Sequence, residues 1–385
     1  MSDASVSIRP PMKVLLAAAH AGRVLLLLLA VFAVMSVLAP QQFPTAANLA
    51  NILRATSTDV LAAAGFTIVM LCGQLDLSVG TTMTLGGVVV MFMQPSLGWT
   101  GAALAAGAAG SLVGLGNGLL VSKARINSFI VTLGTMTILQ GVSRSLLHGG
   151  SKSLENVAAG MRMVDWLEPI LPWSPRILLV FVPVVLLELF LRRTAWGRGF
   201  YLIGGNPQTA WYAGLRTGRS VTVAFTLSGM LSALGGALAA MSQNTAMPNL
   251  GDKSLMLIVA AVVVGGTAMA GGRGSVVMSI LALIALNALT NGLSYLGASK
   301  SVKLIANGVL LALVIIYEAW RNLLRERVRG QRRELLARWE SEADEATPVS
   351  EESAEEELTM PNQDRTFAIV CVCAVACVAI VAIFA

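Results

Sequence analysis

The sequence is poor in charge. Lys, Arg, Asp and Glu make up 12% of its 385 residues, where a soluble domain carries about 25%. With 55% hydrophobic residues gathered into long runs, a water-soluble globular chain is excluded, because the runs are too many and too long for one soluble core. Histidine is nearly missing: His20 and His148 stand far apart, near the ends of apolar runs. Cysteine is scarce, and Cys72, Cys371, Cys373 and Cys377 all fall within apolar runs. Three of them share one short segment without a histidine, which suggests neither zinc nor a disulfide framework. No Gly-x-x-x-x-Gly-Lys-[Ser/Thr] stretch occurs, so the chain does not bind ATP by that device. No catalytic residues, no metal ligands, no cofactor bound by this chain and no nucleic-acid partner are expected.

What is there reads as an all-α polytopic membrane protein. The apolar runs predict spans over 24–39, 59–72, 79–93, 99–121, 129–147, 177–191, 221–241, 255–269, 276–296 and 302–320. That is about ten transmembrane helices in one core. A short lead-in helix over 48–54 is expected before the second span, and a re-entrant path near 265–274 remains open because several runs fall short of about 20 residues. The 37 glycines suit close helix approach in lipid. The first run follows Arg9, Lys13 and Arg23 without a small-residue cleavage site, so it is expected to be a retained helix.

Lys and Arg in the short loops orient the chain. With the N-terminus inside, the inner loops hold Lys123, Arg125, Arg192, Arg193, Arg198, Arg216, Arg219 and Arg273, and the outer ones fewer. The resulting division is a cytoplasmic N-terminus (1–23), a transmembrane domain (24–320), a charged cytoplasmic linker (321–365) and one extra C-terminal transmembrane helix (366–385). The linker opens with a basic helical stretch suited to anionic lipid. It continues with eight acidic and no basic residues over 341–358, which reads as disordered.

Three groups of residues carry the chemistry. The first is Gly73-Gln74-Leu75-Asp76-Leu77-Ser78-Val79-Gly80, a polar break between two apolar runs. A carboxylate at mid-bilayer costs about 2.5–3.5 kcal/mol on insertion scales, and irregular backbone is tolerated there only in protein or beside a watery cavity. Asp76 and Ser78 are therefore either pathway or gating residues or the cap of a new helix at the membrane edge. The two readings are compatible.

The second group is the polar segment 194–220. In it Gly204-Gly205-Asn206 makes a turn, and Asn206 caps a short helix that begins at Pro207 and ends near Gly214. Lying between two spans on the inside, it would present Gln208, Trp211 and Tyr212 either to a partner or to lipid headgroups. The third group is polar residues inside spans: Asn117, Thr132, Thr135, Gln140, Asn287, Thr290 and Asn291. They either line a route for a hydroxylated solute or act as interhelical hydrogen-bond glue, at about 0.6–2 kcal/mol each.

Four stretches resemble the membrane permease subunits of bacterial ABC importers for ribose, xylose and related sugars. Residues 65–87 resemble that family's glycine–Asp-Leu-Ser-Val-Gly signature. Residues 197–214 resemble its cytoplasmic loop, with a Gly-Gly-Asn-Pro turn before the ATPase-docking helix. Residues 261–291 include Val264-Gly265-Gly266-Thr267, Gly271-Gly272-Arg273-Gly274-Ser275, Asn287 and Asn291, and Phe129-Ile130-Val131-Thr132-Leu133-Gly134-Thr135-Met136 adds a weaker match. Two departures stand out: Gln208-Thr209 replaces the usual Glu-Ala, and the chain beyond Trp320 has no counterpart in the common pattern.

The resemblance implies a bacterial inner-membrane importer subunit that is not itself an enzyme. Its partners would be a separate ABC ATPase subunit that uses the ATP, an extracytoplasmic solute-binding protein, a second permease subunit and membrane lipid. Gly204, Gly205, Asn206, Pro207, Gln208, Thr209, Ala210 and Gly214 would form the ATPase-coupling loop. Asp76, Ser78, Asn117, Thr132, Gln140, Asn287 and Asn291 would line or gate the route of a monosaccharide. Other solutes (a nucleoside, polyol or amino acid) fit the same architecture. A secondary transporter coupled to protons or ions through Asp76, or a membrane scaffold using the charged tail, is the alternative from another class.

Overall fold

The computed structural model describes residues 12–153 and 175–299 and scattered positions between 301 and 316. The expected linker and the C-terminal helix lie outside the described residues, as do most of the tenth span and the loop 154–174. The described chain is helical apart from one pair of two-residue strands.

Helix α1 (Met12–Leu38) leads through a turn to α2 (Ala46–Leu71). Thr45 caps α2, its hydroxyl accepting from Asn48 N at 3.2 Å. The lead-in helix and second span are thus one continuous helix, since nothing in 55–58 breaks it: Thr56, Ser57 and Thr58 each bond back to a carbonyl three or four residues earlier. From Val60 to Leu71 every α2 residue is buried, as a helix apolar all round must be when it forms a core. The helices Thr217–Gln243, Val276–Tyr295, Pro175–Arg193 and Asp252–Val264 pack around it.

Helix α3 (Val79–Ser122) is 44 residues long, about 66 Å if straight and twice the thickness of a hydrocarbon core. It is not straight. Gly98 interrupts it with φ 65° and ψ 178°, and Asn117 Nδ2 donates to Ser78 Oγ at 3.0 Å. Residues 20 before and 19 after Gly98 can meet only if the chain doubles back there. The two arms contain the expected spans 79–93 and 99–121, but the first runs on past Met93 through Pro95 to Gly98. Helix α4 (Ser128–Leu146) follows, packed on α3.

Next come strand β1 (Lys152–Ser153), α5 (Pro175–Arg193), α6 (Ala195–Gly205), α7 (Pro207–Tyr212) and α8 (Thr217–Gln243). Helix α8 makes its main contact with α3, through small residues that let backbones touch. A methyl on Gly229 would sit 2.1 Å from the Gly110 carbonyl oxygen, and one on Gly114 2.1 Å from that of Phe225. Strand β2 (Thr245–Ala246) pairs antiparallel with β1. Lys152 Nζ lies 3.7 Å above the Phe92 ring beside this pair.

From β2 the chain runs along α3, where Gly251 N donates to Thr84 Oγ1 at 3.0 Å. Helix α9 (Asp252–Val264) begins there and has 13 residues. At about 20 Å it is too short to cross a bilayer alone. The expected span 255–269 is therefore corrected: the helix stops at Val264, and Gly266, Gly271 and Gly272 turn the chain with φ of 84°, 85° and 74°. Helix α10 (Val276–Tyr295) then returns against α1, α2 and α9. Helices α2, α3, α8 and α10 are long and apolar enough to cross a membrane, and Val24–Leu38 is a shorter apolar stretch.

Candidate functional site: a capped surface helix and a buried polar cluster

The segment between α5 and α8 folds as two helices, of which the residue pattern revealed only the second. Thr194 caps α6, its hydroxyl accepting from Gly197 N at 3.0 Å. Gly204 and Gly205 end α6 rather than forming an isolated turn. Asn206 then caps α7: its Oδ1 accepts from Gln208 N and Thr209 N, each at 3.0 Å, and Pro207 occupies the first helical position. A proline costs nothing there, because its missing N–H would have no intrahelical partner.

Ala210 is 2% exposed and anchors α7 against the rest of the chain. The chain leaves through Gly214 at φ 80°, a left-handed turn that suits glycine. Gln208, Thr209, Trp211 and Tyr212 all face outward. Trp211 is 64% and Tyr212 80% exposed, and their rings meet edge to face at 5.2 Å. The surface thus offers two aromatic rings and two uncharged polar side chains on one short, rigidly capped helix.

The break before α3 is buried. Asp76 is 2% exposed, and both its oxygens are engaged. Oδ1 accepts from Ser78 N at 3.1 Å and Ser78 Oγ at 2.5 Å, and Oδ2 accepts from Ser228 Oγ at 2.9 Å. Ser78 Oγ in turn accepts from Asn117 Nδ2, and Asn117 Oδ1 accepts from Thr135 Oγ1 at 2.6 Å. Ser128 Oγ accepts from Leu75 N at 3.2 Å, and Thr132 Oγ1 reaches Leu75 O at 3.5 Å. Asp76 therefore ties the break, both arms of α3, α4 and α8 into one network. Ser78 stands at the N-cap position of α3 but its side chain makes no capping hydrogen bond there; Asp76 instead holds Ser78 just ahead of the helix.

The network unites Asp76, Ser78 and Asn117, and Thr132 sits at its edge. Gln140, Asn287 and Asn291 do not hydrogen-bond to it. Asn287 Nδ2 and Asn291 Oδ1 are buried without a partner among the described residues, one helical turn apart on α10. Among the described residues no Lys or Arg pairs with Asp76.

Two members escaped the sequence reading. Ser228 is one of several small polar residues in its helix, and nothing local separates it from Ser232. Glu188 did leave a signal: a lone acid in an apolar run, with Arg192 four residues on. Its Oε1 accepts from Arg192 Nε at 2.6 Å and from Ser275 Oγ at 2.8 Å, and its Oε2 accepts from Val276 N at 2.8 Å. The carboxylate thus caps α10, where a helix N-terminus favours negative charge. Nearby, burial pushes the Tyr201 phenol up to about 12, with the Glu188 charge adding to the rise and Arg192 opposing it.

Comparison with known proteins places this arrangement. The profile of the family described as branched-chain amino acid transport system / permease component matches residues 48–317. That interval contains the polar break, the capped helix and the glycine turn after α9. The chain is 32% identical over 290 residues to the ribose import permease protein of Bacillus subtilis, covering 74% of this chain and 88% of that one. It is 32% identical over 300 residues to the ribose import permease protein of Escherichia coli K12, covering 76% and 92%. It is 35% identical over 263 residues to the autoinducer 2 import system permease protein of Yersinia enterocolitica, covering 68% and 71%. No solved structure matches the chain significantly. The chain belongs to this permease family: it is a multi-pass membrane component of a transport system and not itself an enzyme.

Proposed function

We propose that the chain is the membrane-spanning permease subunit of an ATP-binding cassette importer that carries a monosaccharide, ribose or one similar, inward. The observation that carries this reading is α7. It is a capped, exposed helix held between two spans in a segment with three arginines, Arg198, Arg216 and Arg219, a geometry suited to docking on a cytoplasmic ATPase. The ATPase uses the ATP; an extracytoplasmic binding protein delivers the sugar; a second permease subunit completes the pathway. Asn206 to Ala210 and Gly214 form the surface of the coupling loop that docks on the ATPase, while Gly204 and Gly205 end α6 behind it and make no contact with the ATPase. Asp76, Ser78, Asn117, Thr132, Gln140, Asn287 and Asn291 line or gate the route.

The ribose import permeases among the relatives favour a sugar. The family's description favours an amino acid instead, and that is the second reading. The N-terminus is cytoplasmic on the charge bias of the loops. A proton-coupled secondary transporter finds little support, because Asp76 is held on both oxygens by hydroxyl and amide donors.

The test is gentle detergent extraction of the tagged chain, with mass spectrometry of what co-purifies. Recovery of an ATPase carrying a phosphate-binding loop, lost when 206–214 is scrambled in a chain that still folds, supports the importer. Ligand screening of the co-purified binding protein then separates sugar from amino acid. A folded chain that brings down no ATPase refutes the reading.

A further inference from the structure

Three glycine-bearing turns far apart in sequence meet at one point. A methyl on Gly204 would lie 1.9 Å from the Leu71 carbonyl oxygen and 2.5 Å from Gly272 N. One on Gly271 would lie 2.5 Å from Gly73 N and 2.9 Å from the Gly204 Cα, and one on Gly272 2.7 Å from the Gly205 Cα. Gly272 N donates to Leu71 O at 2.9 Å. The end of α6, the end of α2 and the turn after α9 are therefore in backbone-to-backbone contact, with no side chain between them.

The same point touches both parts of the site. Gly204 and Gly205 run directly into Asn206, the cap of α7. Gly73 lies three residues before Asp76, whose carboxylate holds α3 and α8. The turn after α9 is held from the other side as well, because Glu188 at the end of α5 caps α10 through Ser275 and Val276. Packed backbone has no soft rotamer to absorb a displacement, and close-packed interiors transmit strain.

We propose that Gly73, Gly204, Gly271 and Gly272 form the joint through which movement of α7 reaches Asp76. The proposal rests on the reading of α7 as the ATPase-docking helix. These glycines are positioning residues: they touch neither solute nor ATPase, and act by keeping two segments in register. Coupling of this kind is carried by packed, rigid elements that both sites bias, and the glycine joint is contiguous from Asn206 to Asp76.

The structure supplies its own control. Gly204 and Gly205 are adjacent in α6, yet a methyl on Gly205 meets nothing within 4 Å. Neither has a left-handed φ, so alanine costs no backbone strain at either, and only Gly204→Ala wedges the joint. The experiment is hydrogen–deuterium exchange on the full chain in complex with its co-purified ATPase, with and without ATP and vanadate. In the wild type, nucleotide is expected to change exchange both in 206–214 and in 73–80, by about fivefold or more. Gly205→Ala keeps both responses. Gly204→Ala keeps ATPase binding and the response at 206–214 but loses that at 73–80, a separation that a merely structural defect does not produce.

A Gly204→Ala chain that responds fully at 73–80 overturns the joint. So does a wild-type chain that responds at 206–214 and not at 73–80, an outcome that needs no variant and stands even where Gly204→Ala fails to fold. A Gly205→Ala chain that behaves like Gly204→Ala also overturns it, since helix substitution and not contact would then be responsible. A wild-type chain that binds no ATPase removes the functional reading and the joint with it.

Discussion

If α7 docks on an ATPase, replacing Asn206 with alanine should weaken that binding without unfolding the membrane core. The side chain accepts from Gln208 N and Thr209 N, both at 3.0 Å, and both donors become orphans of the first helical turn. Such a cap is worth about 1 kcal/mol, within about 0.5–2. Helix α7 has six residues, far below the length at which an isolated helix is stable in water, so its population depends on the cap, on Pro207 and on the buried Ala210. If docking needs the formed helix, apparent affinity falls with the fraction formed. A loss of 1 kcal/mol then weakens ATPase binding about fivefold, within limits of about twofold and thirtyfold. Asn206→Asp keeps an acceptor in place at a helix N-terminus and should stay within about twofold of wild type. The assay is titration of purified ATPase subunit onto the chain in nanodiscs, with thermal melting of each variant as the control for folding. Equal affinities for Asn206→Ala and Asn206→Asp would refute the reasoning, because they would show that the cap does not govern docking.

Three further outcomes follow from particular contacts. Asp76→Ala strips acceptors from Ser78 N, Ser78 Oγ and Ser228 Oγ and should lower the melting stability by about 2–4 kcal/mol; Asp76→Asn, which keeps the shape and most of the bonds, should retain at least part of the uptake in proteoliposomes, and complete loss with Asn would revive the proton-coupled alternative. Glu188→Ala leaves Val276 N and the Ser275 O–H without their acceptor and Arg192 without its partner, so a loss of about 3 kcal/mol is expected, read as a lower midpoint in a detergent thermal-shift assay; an unchanged midpoint would mean that α10 needs no such cap. Tyr201→Phe removes a buried hydroxyl that has no hydrogen-bond partner among the described residues, so the variant should be as stable as wild type or more stable, by up to about 1 kcal/mol, and a clear drop in the same assay would show that the phenol has a partner.

The parts of the fold legible in the sequence were those set by local chemistry. The apolar runs 129–147, 177–191, 221–241 and 276–296 became helices with nearly the expected limits, whereas the run 79–93 continued through Pro95 as far as Gly98. The α7 cap was readable because every element of it lies within nine residues: Asn206 as cap, Pro207 at the first helical position, Gly214 to leave. The errors have equally local causes. The lead-in helix merged with α2 because hydroxyl side chains at 56–58 can bond back to their own helix, so polarity there did not mean a break. The expected span 255–269 ends early because Gly265 and Gly266 are apolar by composition but end the helix by conformation.

Composition and hydrophobic spacing by themselves determined that this is a multi-pass helical membrane protein. The order of its motifs determined the family to which it is similar, since spans and caps depend on neighbours along the chain. Only the tertiary structure decided that Asp76 finds Ser228 across 152 residues, that Glu188 caps a helix 88 residues away, and that the chain doubles back at Gly98. It alone decided that the glycines of three separate motifs touch. The physical reason is the same throughout: a carboxylate or a glycine announces a need, for a donor or for room, but the groups that meet it are chosen by how the helices pack.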